Sequence, residues 1–137
     1  MTADDVRAST AAAYDQIVDD FVRRNSEVPA DFAEFRASFV AEVRRRGRVA
    51  DLGCGPGRDA AHFLAAGLEV VGVDASRQMA LTARRNGVPV AQGDIRCVPL
   101  RPGRLDGVWS AASLLHVPRR DVAHTLRSWW MSASELT

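Results

Sequence analysis

The stretch "VADLGCGPGRDAAHFLAAG", from Val49 to Gly67, holds three glycines within five residues. An apolar run typical of a strand precedes the glycines, and a helix-like pattern follows them. Glycine disfavours the interior of both strands and helices, because it loses the most backbone entropy on ordering. We therefore expect the backbone to turn tightly here, or to lie very close to another molecule.

Two patterns of ordered structure precede this stretch. Residues 3–24 fit an amphipathic helix, and "NSEVP" ends it. Asp31 and Glu34 have the spacing of a capping box, which predicts the start of a second helix with four apolar side chains on one face. Those side chains are Phe32, Phe35, Phe39 and Val43.

From the glycine stretch onward, strand and helix patterns alternate. The order is "RVADL", a helix over 58–66 ending at Gly67, "LEVVGVD", a helix from Ser76 towards Gly87, "VPVAQ", "LDGVWS" and a helix after Pro118. Such alternation is typical of right-handed βαβ crossovers. The second strand is almost entirely apolar, as expected for a strand buried on both faces. The sequence therefore predicts an α/β fold with a parallel sheet.

Composition restricts the class of protein. The 137 residues are 47% hydrophobic and 26% charged, which is typical of one globular domain. A net charge of +1 gives no electrostatic case for nucleic acid or an anionic membrane as partner. The basic run "RRRGR", Arg44 to Arg48, fits the solvated end of a helix. No signal-peptide pattern and no apolar run of membrane-spanning length is present, so we expect a cytoplasmic location.

Polar groups follow three successive strands of the expected sheet. The glycines Gly53, Gly55 and Gly57 follow the first strand, Asp74 closes the second and Asp94 follows the third. Each feature alone has an ordinary alternative, namely a turn shaped only by strand-to-helix geometry or a capping aspartate. Together they mark the edge of the sheet where α/β proteins bind nucleotide-like ligands.

The glycine spacing separates two classes of nucleotide-like ligand. The dinucleotide fingerprint G-x-G-x-x-G requires a small residue at the position of Arg58. Here the glycines run G-x-G-x-G, and the dinucleotide fold gives no role to an acid after the third strand. A nicotinamide or flavin oxidoreductase is therefore disfavoured.

The segments that carry the strand ends are "VADLGCGPGRD", "VVGVDAS", "QGDI" and "LDGVWSAASLLHV". In this order and spacing they resemble class I S-adenosylmethionine-dependent methyltransferases, and the resemblance extends roughly from Tyr14 to Trp129. It implies a Rossmann-like parallel sheet, S-adenosyl-L-methionine as cofactor, and transfer of its sulfonium methyl group to an acceptor. We expect a small-molecule acceptor, because no basic groove favours nucleic acid.

The resemblance also implies roles for individual residues. The backbone of Gly53, Cys54 and Gly55 would pass beneath the methionine part of the cofactor, and Asp51 would face its ammonium group. Asp74 would hold the ribose hydroxyls.

The same resemblance assigns residues to the adenine base and to the methyl-donor end of the cofactor. Met79 would flank the adenine, and Asp94 with Ile95 would contact its edge. The cofactor set is completed by Gly57, Ala75 and Ser110, with Ser110 and Ala111 at the methyl-donor end and Asp59 as a further contact to the amino-acid part.

Catalytic groups are less evident from the sequence. His116 follows the fourth strand, where related enzymes build the acceptor site, and Tyr14 resembles a tyrosine of the N-terminal helix that closes over the cofactor. Each is equally consistent with packing between the N-terminal segment and the core. His62 and His124 fit exposed helix positions, and Trp109 fits a packing role in a strand. No cluster has metal-ligand spacing, so we expect no metal.

The resemblance divides the chain into an N-terminal helical cap segment, 1–47, a cofactor-binding core, 48–130, and a tail, 131–137, that departs from the family. We expect strands one to four to be present and the C-terminal strands to be missing, which would make the fourth strand an edge. Such an edge favours self-association. The alternative function is a cofactor-binding domain without turnover.

Overall fold

The computed structural model describes residues 2–25, 27–98, 103–111 and 113–133. The helices are α1 (Ala3–Arg24), α2 (Ala30–Glu42), α3 (Arg58–Ala65), α4 (Arg77–Arg85) and α5 (Val122–Ala133). The strands are β1 (Arg48–Leu52), β2 (Glu69–Asp74), β3 (Val90–Gln92) and β4 (Gly107–Trp109), and short 3₁₀ turns cover Leu114–His116 and Arg119–Asp121. The predicted order of strands and helices is confirmed.

The four strands form one parallel sheet in the order β3-β2-β1-β4. Leu52 of β1 pairs with Val73 of β2, so these two strands end side by side. The segment after β1 and the carboxyl end of β2 therefore meet at one edge of the sheet. Within the described residues β4 is an edge strand beside β1, as expected from the sequence.

Helices cover both faces of the sheet, and β1 contributes to both cores. Val49 packs with Phe63 of α3 and Ala83 of α4 on one face, where α2 also contributes. Ala50 and Leu52 pack on the opposite face in a second cluster that includes Trp129 of α5. Alternate side chains of a strand point to opposite faces, so β1 is the centre of the fold and fixes the position of the loop that follows it.

The starts of two helices differ from the expectation. α2 begins directly after Pro29, whose side chain provides no capping bond, so the expected capping box of Asp31 and Glu34 is wrong. Asp31 lies instead in the first turn, where a negative charge stabilises the helix dipole. The capping box is found at the start of α1, between Thr2 and Asp5.

Two further boundaries differ. α5 begins at Val122, because two 3₁₀ turns separate it from the end of β4. β3 and β4 are each three residues long, shorter than the apolar runs that predicted them. No helix within the described ranges has both the length and the apolar character needed to cross a membrane.

Candidate active site

The glycine loop folds back over the end of β2. The backbone N–H groups of Gly53 and Cys54 both donate to the Val73 carbonyl oxygen, at 2.7 and 3.1 Å. All three loop glycines have positive φ: 74° at Gly53, 55° at Gly55 and 89° at Gly57. The sequence-based expectation of a tight turn is therefore met, since L side chains rarely adopt these angles.

Gly53 is needed because of a neighbouring side chain. A Cβ atom there would overlap Cβ of Ser113, which lies between β4 and the 3₁₀ turn that follows it. Gly57 is similarly enclosed by Val88 and Ala83, at 3.0 and 3.1 Å from a Cβ position. Close packing within the chain thus explains two of the three glycines.

Gly53→Ala should lower the free energy of unfolding by roughly 2–4 kcal/mol, from the left-handed backbone angle and from overpacking against Ser113. Gly67→Ala is the matched control, because Gly67 has φ 90° but nothing within 4 Å of a Cβ position. Urea unfolding should show a smaller loss for Gly67→Ala, and Ser113→Gly should recover part of the Gly53→Ala loss. Equal losses for both alanine variants would contradict the role of Ser113.

Asp74 is held in a fixed orientation at the end of β2. Its Oδ2 accepts the Gly55 N–H at 2.8 Å and its Oδ1 accepts the Ser76 N–H at 2.9 Å. Burial raises the pKa of this carboxyl above its ordinary value, and the two backbone hydrogen bonds oppose that rise. A carboxylate has about four acceptor positions, so each oxygen keeps capacity for a further donor.

Two cavities lie on either side of Gly53 and Gly55. The first lies between α1 and the strand ends and has a volume of about 150 Å³, the second has a volume of about 170 Å³, and both are in part open to solvent. Concave sites of this kind are where proteins bind small molecules. The expected cofactor residues that line the first cavity are Gly53, Gly55, Asp74, Ala75, Met79, Asp94, Ile95 and Ala111. Those that line the second are Asp51, Gly53, Cys54, Gly55, Asp59 and Ala111.

Gly57 and Ser110 line neither of these two cavities. The Ser110 hydroxyl donates to the Leu52 carbonyl oxygen at 3.0 Å, and the Ser113 hydroxyl donates to the same oxygen at 2.8 Å. The two serines therefore fasten the segment after β4 to the end of β1.

Asp51 is a buried carboxyl in the second cavity, only 2% exposed. Burial, followed by the negative charges of Asp59 and Asp74, raises its pKa to about 8. The Ala60 N–H donates to it and Arg58 acts on it at longer range, but neither offsets the burial. A cationic ligand group beside Asp51 would favour its ionised form.

Asp59 is engaged on both oxygens within the chain. Its Oδ1 accepts from Arg36 at 2.9 Å and from Arg58 at 3.3 Å, and its Oδ2 accepts from the Trp109 indole N–H at 3.2 Å. These bonds join α2, α3 and β4 beneath the second cavity. Trp109 is buried, so its expected packing role is confirmed.

α1 covers the first cavity although it contains no buried residue. Asp15 accepts from the Ser76 hydroxyl at 2.5 Å and from the Gln78 N–H at 2.9 Å, which attaches α1 to the start of α4. Phe21, near the end of α1, lines both cavities and lies 3.8 Å from a Cβ position at Gly55.

Tyr14 and His116 meet inside the first cavity. The Tyr14 hydroxyl and His116 Nε2 form a hydrogen bond of 2.9 Å between residues 102 positions apart in the chain. Their rings are nearly perpendicular, with centroids 5.5 Å apart. Burial and the charge of Asp74 raise the pKa of Tyr14, so the phenol stays protonated at neutral pH.

The family model described as "Methyltransferase domain" matches residues 49–132. This range contains the glycine loop, Asp74, Asp94 and β4. The chain belongs to the methyltransferase-domain family. It has the Rossmann-like fold of class I methyltransferases, and S-adenosyl-L-methionine is the cofactor of this class.

Relatives of this methyltransferase domain match it over part of their length. The malonyl-[acyl-carrier protein] O-methyltransferase of Enterobacter lignolyticus is 42% identical over 70 residues, which are 50% of this chain and 28% of that enzyme. A crystal structure of an S-adenosylmethionine-dependent methyltransferase from Mesorhizobium loti is 28% identical, with a TM-score of 0.68 over 77% of this chain and 49% of that one. The chain thus spans about half or less of these relatives.

A second solved structure is similar to this chain in fold alone. The magnesium protoporphyrin IX methyltransferase of Synechocystis PCC 6803, crystallised with bound S-adenosylmethionine, has a TM-score of 0.74 and is 18% identical. The match covers 90% of this methyltransferase domain and 69% of that enzyme.

Several residues of the site carry no obvious signal in the sequence. Asp15 accepts a hydrogen bond from Ser76, 61 positions later in the chain, and Ser113 is recognisable only once β1 and β4 are adjacent. Arg96 is the exception, since its position two residues after Asp94 in "GDIR" favours a local ion pair. Among the described residues, no group of three or more His, Cys, Asp or Glu side chains is arranged to hold a metal ion.

Proposed function

We propose that this chain binds S-adenosyl-L-methionine beneath α1 and transfers its methyl group to a small-molecule acceptor. The observation that carries the proposal is the Asp74 carboxylate, which two backbone N–H groups hold at the wall of the first cavity. Nucleotide-type ligands use such a strand-end acid to bind both ribose hydroxyls.

The side chains of the two cavities fit the chemistry of this cofactor. Asp74 would accept the ribose hydroxyls, Met79 would flank the base, and Asp94 with Ile95 would meet its edge. Asp51 is a buried carboxyl whose raised pKa would be relieved by the cofactor's ammonium group.

The glycine loop would lie under the methionine part of the cofactor, through the backbone of Gly53, Cys54 and Gly55. Gly57, Ala75 and Ser110 would support this arrangement. When bound, the cofactor supplies a methyl group that its positive sulfur already activates. The chain therefore has to align the acceptor and exclude water, and α1 covers the cavity in a position suited to both tasks.

Tyr14 and His116 are our proposed catalytic pair. The Tyr14 hydroxyl oxygen would take the proton of the acceptor's nucleophilic group as the hydroxyl passes its own proton to His116 Nε2. Both rings line the same cavity as Asp74.

His116→Asn and Tyr14→Phe should each lower kcat by about 100-fold and alter its pH profile, because general acid–base groups contribute at least this much. The readout is release of S-adenosylhomocysteine, with the best acceptor found among phenols, amines and carboxylates. His124→Asn, at an exposed position of α5, is the control. Unchanged kcat and pH profile in both variants would show that the pair only attaches α1.

The proposed acceptor is a small molecule of largely apolar character. Val117, Pro118 and Ala11 form the wall of the first cavity next to Tyr14 and His116. A net charge of +1 gives no support for nucleic acid as substrate.

We also propose that copies of the chain associate through β4, which is an edge strand within the described residues. Backbone groups of an edge strand are available to pair with another strand, and Trp130 of the following helix is 71% exposed. Size-exclusion chromatography with light scattering would detect this, and a strictly monomeric protein at high concentration would contradict it.

The proposed function is tested by mass spectrometry of the ligand that co-purifies with the chain, followed by a methyl-transfer assay. We expect S-adenosylmethionine or S-adenosylhomocysteine in the preparation. NAD in its place would contradict the proposal. Retained cofactor with no turnover on any acceptor would favour a cofactor-binding domain without activity.

A further inference from the structure

Arg96, in the segment after β3, lines the first cavity and binds both carboxylate oxygens of the neighbouring Asp94. Its Nε lies 3.2 and 3.0 Å from Oδ1 and Oδ2, and its Nη2 donates to Oδ2 at 2.6 Å. Its backbone N–H also donates to Oδ1, at 2.9 Å. This two-point contact fixes the plane of the carboxylate as well as its charge.

Arg96 is itself held by two other elements. Its Nη2 donates to Oδ1 of Asp4 in the first turn of α1, at 2.6 Å. Its Nη1 lies 3.6 Å from Oδ2 of Asp121, in the 3₁₀ turn before α5. The Arg96 side chain is only 17% exposed, so its guanidinium has one well-defined position.

The arginine favours the ionised form of Asp94. Burial alone would raise the pKa of this carboxyl, but the hydrogen bonds and charge of Arg96, with the charge of Arg7, hold the pKa below its ordinary value. An ionised carboxylate accepts hydrogen bonds and donates none. At neutral pH, Asp94 can therefore bind a donor group of a ligand but not a carbonyl oxygen.

One acceptor position of Asp94 is held more weakly than the others. Arg96 occupies the side of the carboxylate that faces it, whereas Arg7 of α1 approaches Oδ2 only to 3.4 Å and has a side chain 41% exposed. A carboxylate has about four acceptor positions. An incoming amino group can take the position near Arg7 without disturbing the contact with Arg96.

We propose that Arg96 is a positioning residue that sets the base specificity of the cofactor site. By holding Asp94 in one plane and acceptor-only at the cavity wall, it makes the site accept a base with an exocyclic amino group and reject one with a carbonyl at the same position. The inference rests on the proposed function, in which Asp94 meets the edge of the cofactor's base.

The test compares two ligands that differ on that edge of the base, S-adenosylhomocysteine and S-inosylhomocysteine, by titration calorimetry. The first presents an exocyclic amino group beside an unprotonated ring nitrogen, and the second presents a carbonyl beside a ring N–H. We expect the wild-type chain to prefer the adenine compound by roughly 10- to 100-fold, the effect of one hydrogen bond to a charged group. Arg96→Met should reduce this preference to about threefold or less. Arg96→Lys should keep an intermediate preference, because one ammonium group cannot reproduce the two-point contact.

Asp4→Asn is the matched control, since it removes the charged contact between Arg96 and α1 but leaves the Arg96–Asp94 pair intact. Asp4→Asn should keep the wild-type preference for the adenine compound. If Arg96 acted only by attaching α1 to the core, this variant would lose the preference as Arg96→Met does. Circular dichroism checks that each variant is folded, and if Arg96→Met is not, Arg96→Lys decides the question.

The outcomes separate the two proposals. A wild-type chain that binds neither ligand contradicts the proposed function. A wild-type preference that survives in folded Arg96→Met or is unchanged in Arg96→Lys overturns the role of Arg96 alone, as does equal binding of both ligands. An Asp94→Asn variant with full preference would show that Asp94 does not meet the base.

Discussion

Asp74→Ala should weaken binding of S-adenosylhomocysteine by roughly 10²- to 10⁴-fold while the chain remains folded. The substitution removes two expected hydrogen bonds from the ribose hydroxyls to a charged group, each worth about 1.5–3 kcal/mol. It also removes the acceptor of the Gly55 and Ser76 N–H groups, so the loop and the start of α4 lose their common anchor. Titration calorimetry measures the affinity, and thermal melting checks the fold.

Asp19→Ala is a suitable control for this variant, because Asp19 is an exposed carboxylate of α1. It should bind the ligand as the wild type does. Unchanged affinity in a folded Asp74→Ala variant would show that the ribose does not lie at the end of β2.

Asp51→Asn should have opposite effects on stability and on binding. The folded-state pKa of Asp51 is raised from 3.8 to about 8, so between these values the unfolded chain is ionised at this site and the folded chain is protonated. Folding then takes up a proton, and stability falls as pH rises, by up to about 1.4 kcal/mol per pH unit. Asparagine does not titrate, so the variant should be the more stable protein, by a margin that grows from pH 5 to about pH 8 and is constant above it.

The binding of S-adenosylhomocysteine to Asp51→Asn should be weaker by roughly 10- to 100-fold, since the ligand's ammonium group loses its charged partner. Calorimetry at pH 7 in two buffers of different ionisation enthalpy should show proton release on binding to the wild type and none for the variant. Thermal melting from pH 5 to pH 9, with Asp19→Asn as control, measures the stability difference. A difference that does not change with pH would contradict the raised pKa.

Local signals in the sequence predicted the positions of the strand ends but not what surrounds them. The glycine spacing predicted a tight turn, and Asp74 marked the end of the second strand. Both signals are local in the chain, and the structure shows the turn and the strand end beside it. The reason for Gly53 was not predictable, because the side chain that requires it belongs to Ser113, which follows three further strands in the chain.

Contacts of α1 were equally inaccessible from the sequence. Its amphipathic pattern predicted a helix over the correct residues, yet the residues that attach it to the core are polar: Asp4, Asp15 and Tyr14. Their partners lie 61 to 102 positions away, and hydrophobic periodicity carries no information about such pairs. The expected capping box of α2 failed for a local reason, since Pro29 starts the helix two residues earlier than Asp31.

The central claim is that the two cavities around the glycine loop form one site for S-adenosylmethionine. The most direct measurement is calorimetric titration of the purified wild-type chain with S-adenosylhomocysteine and, separately, with NAD. We predict saturable binding of S-adenosylhomocysteine at one site per chain and no heat of binding with NAD. Saturable binding of NAD, or no binding of S-adenosylhomocysteine to a folded chain, would contradict the account.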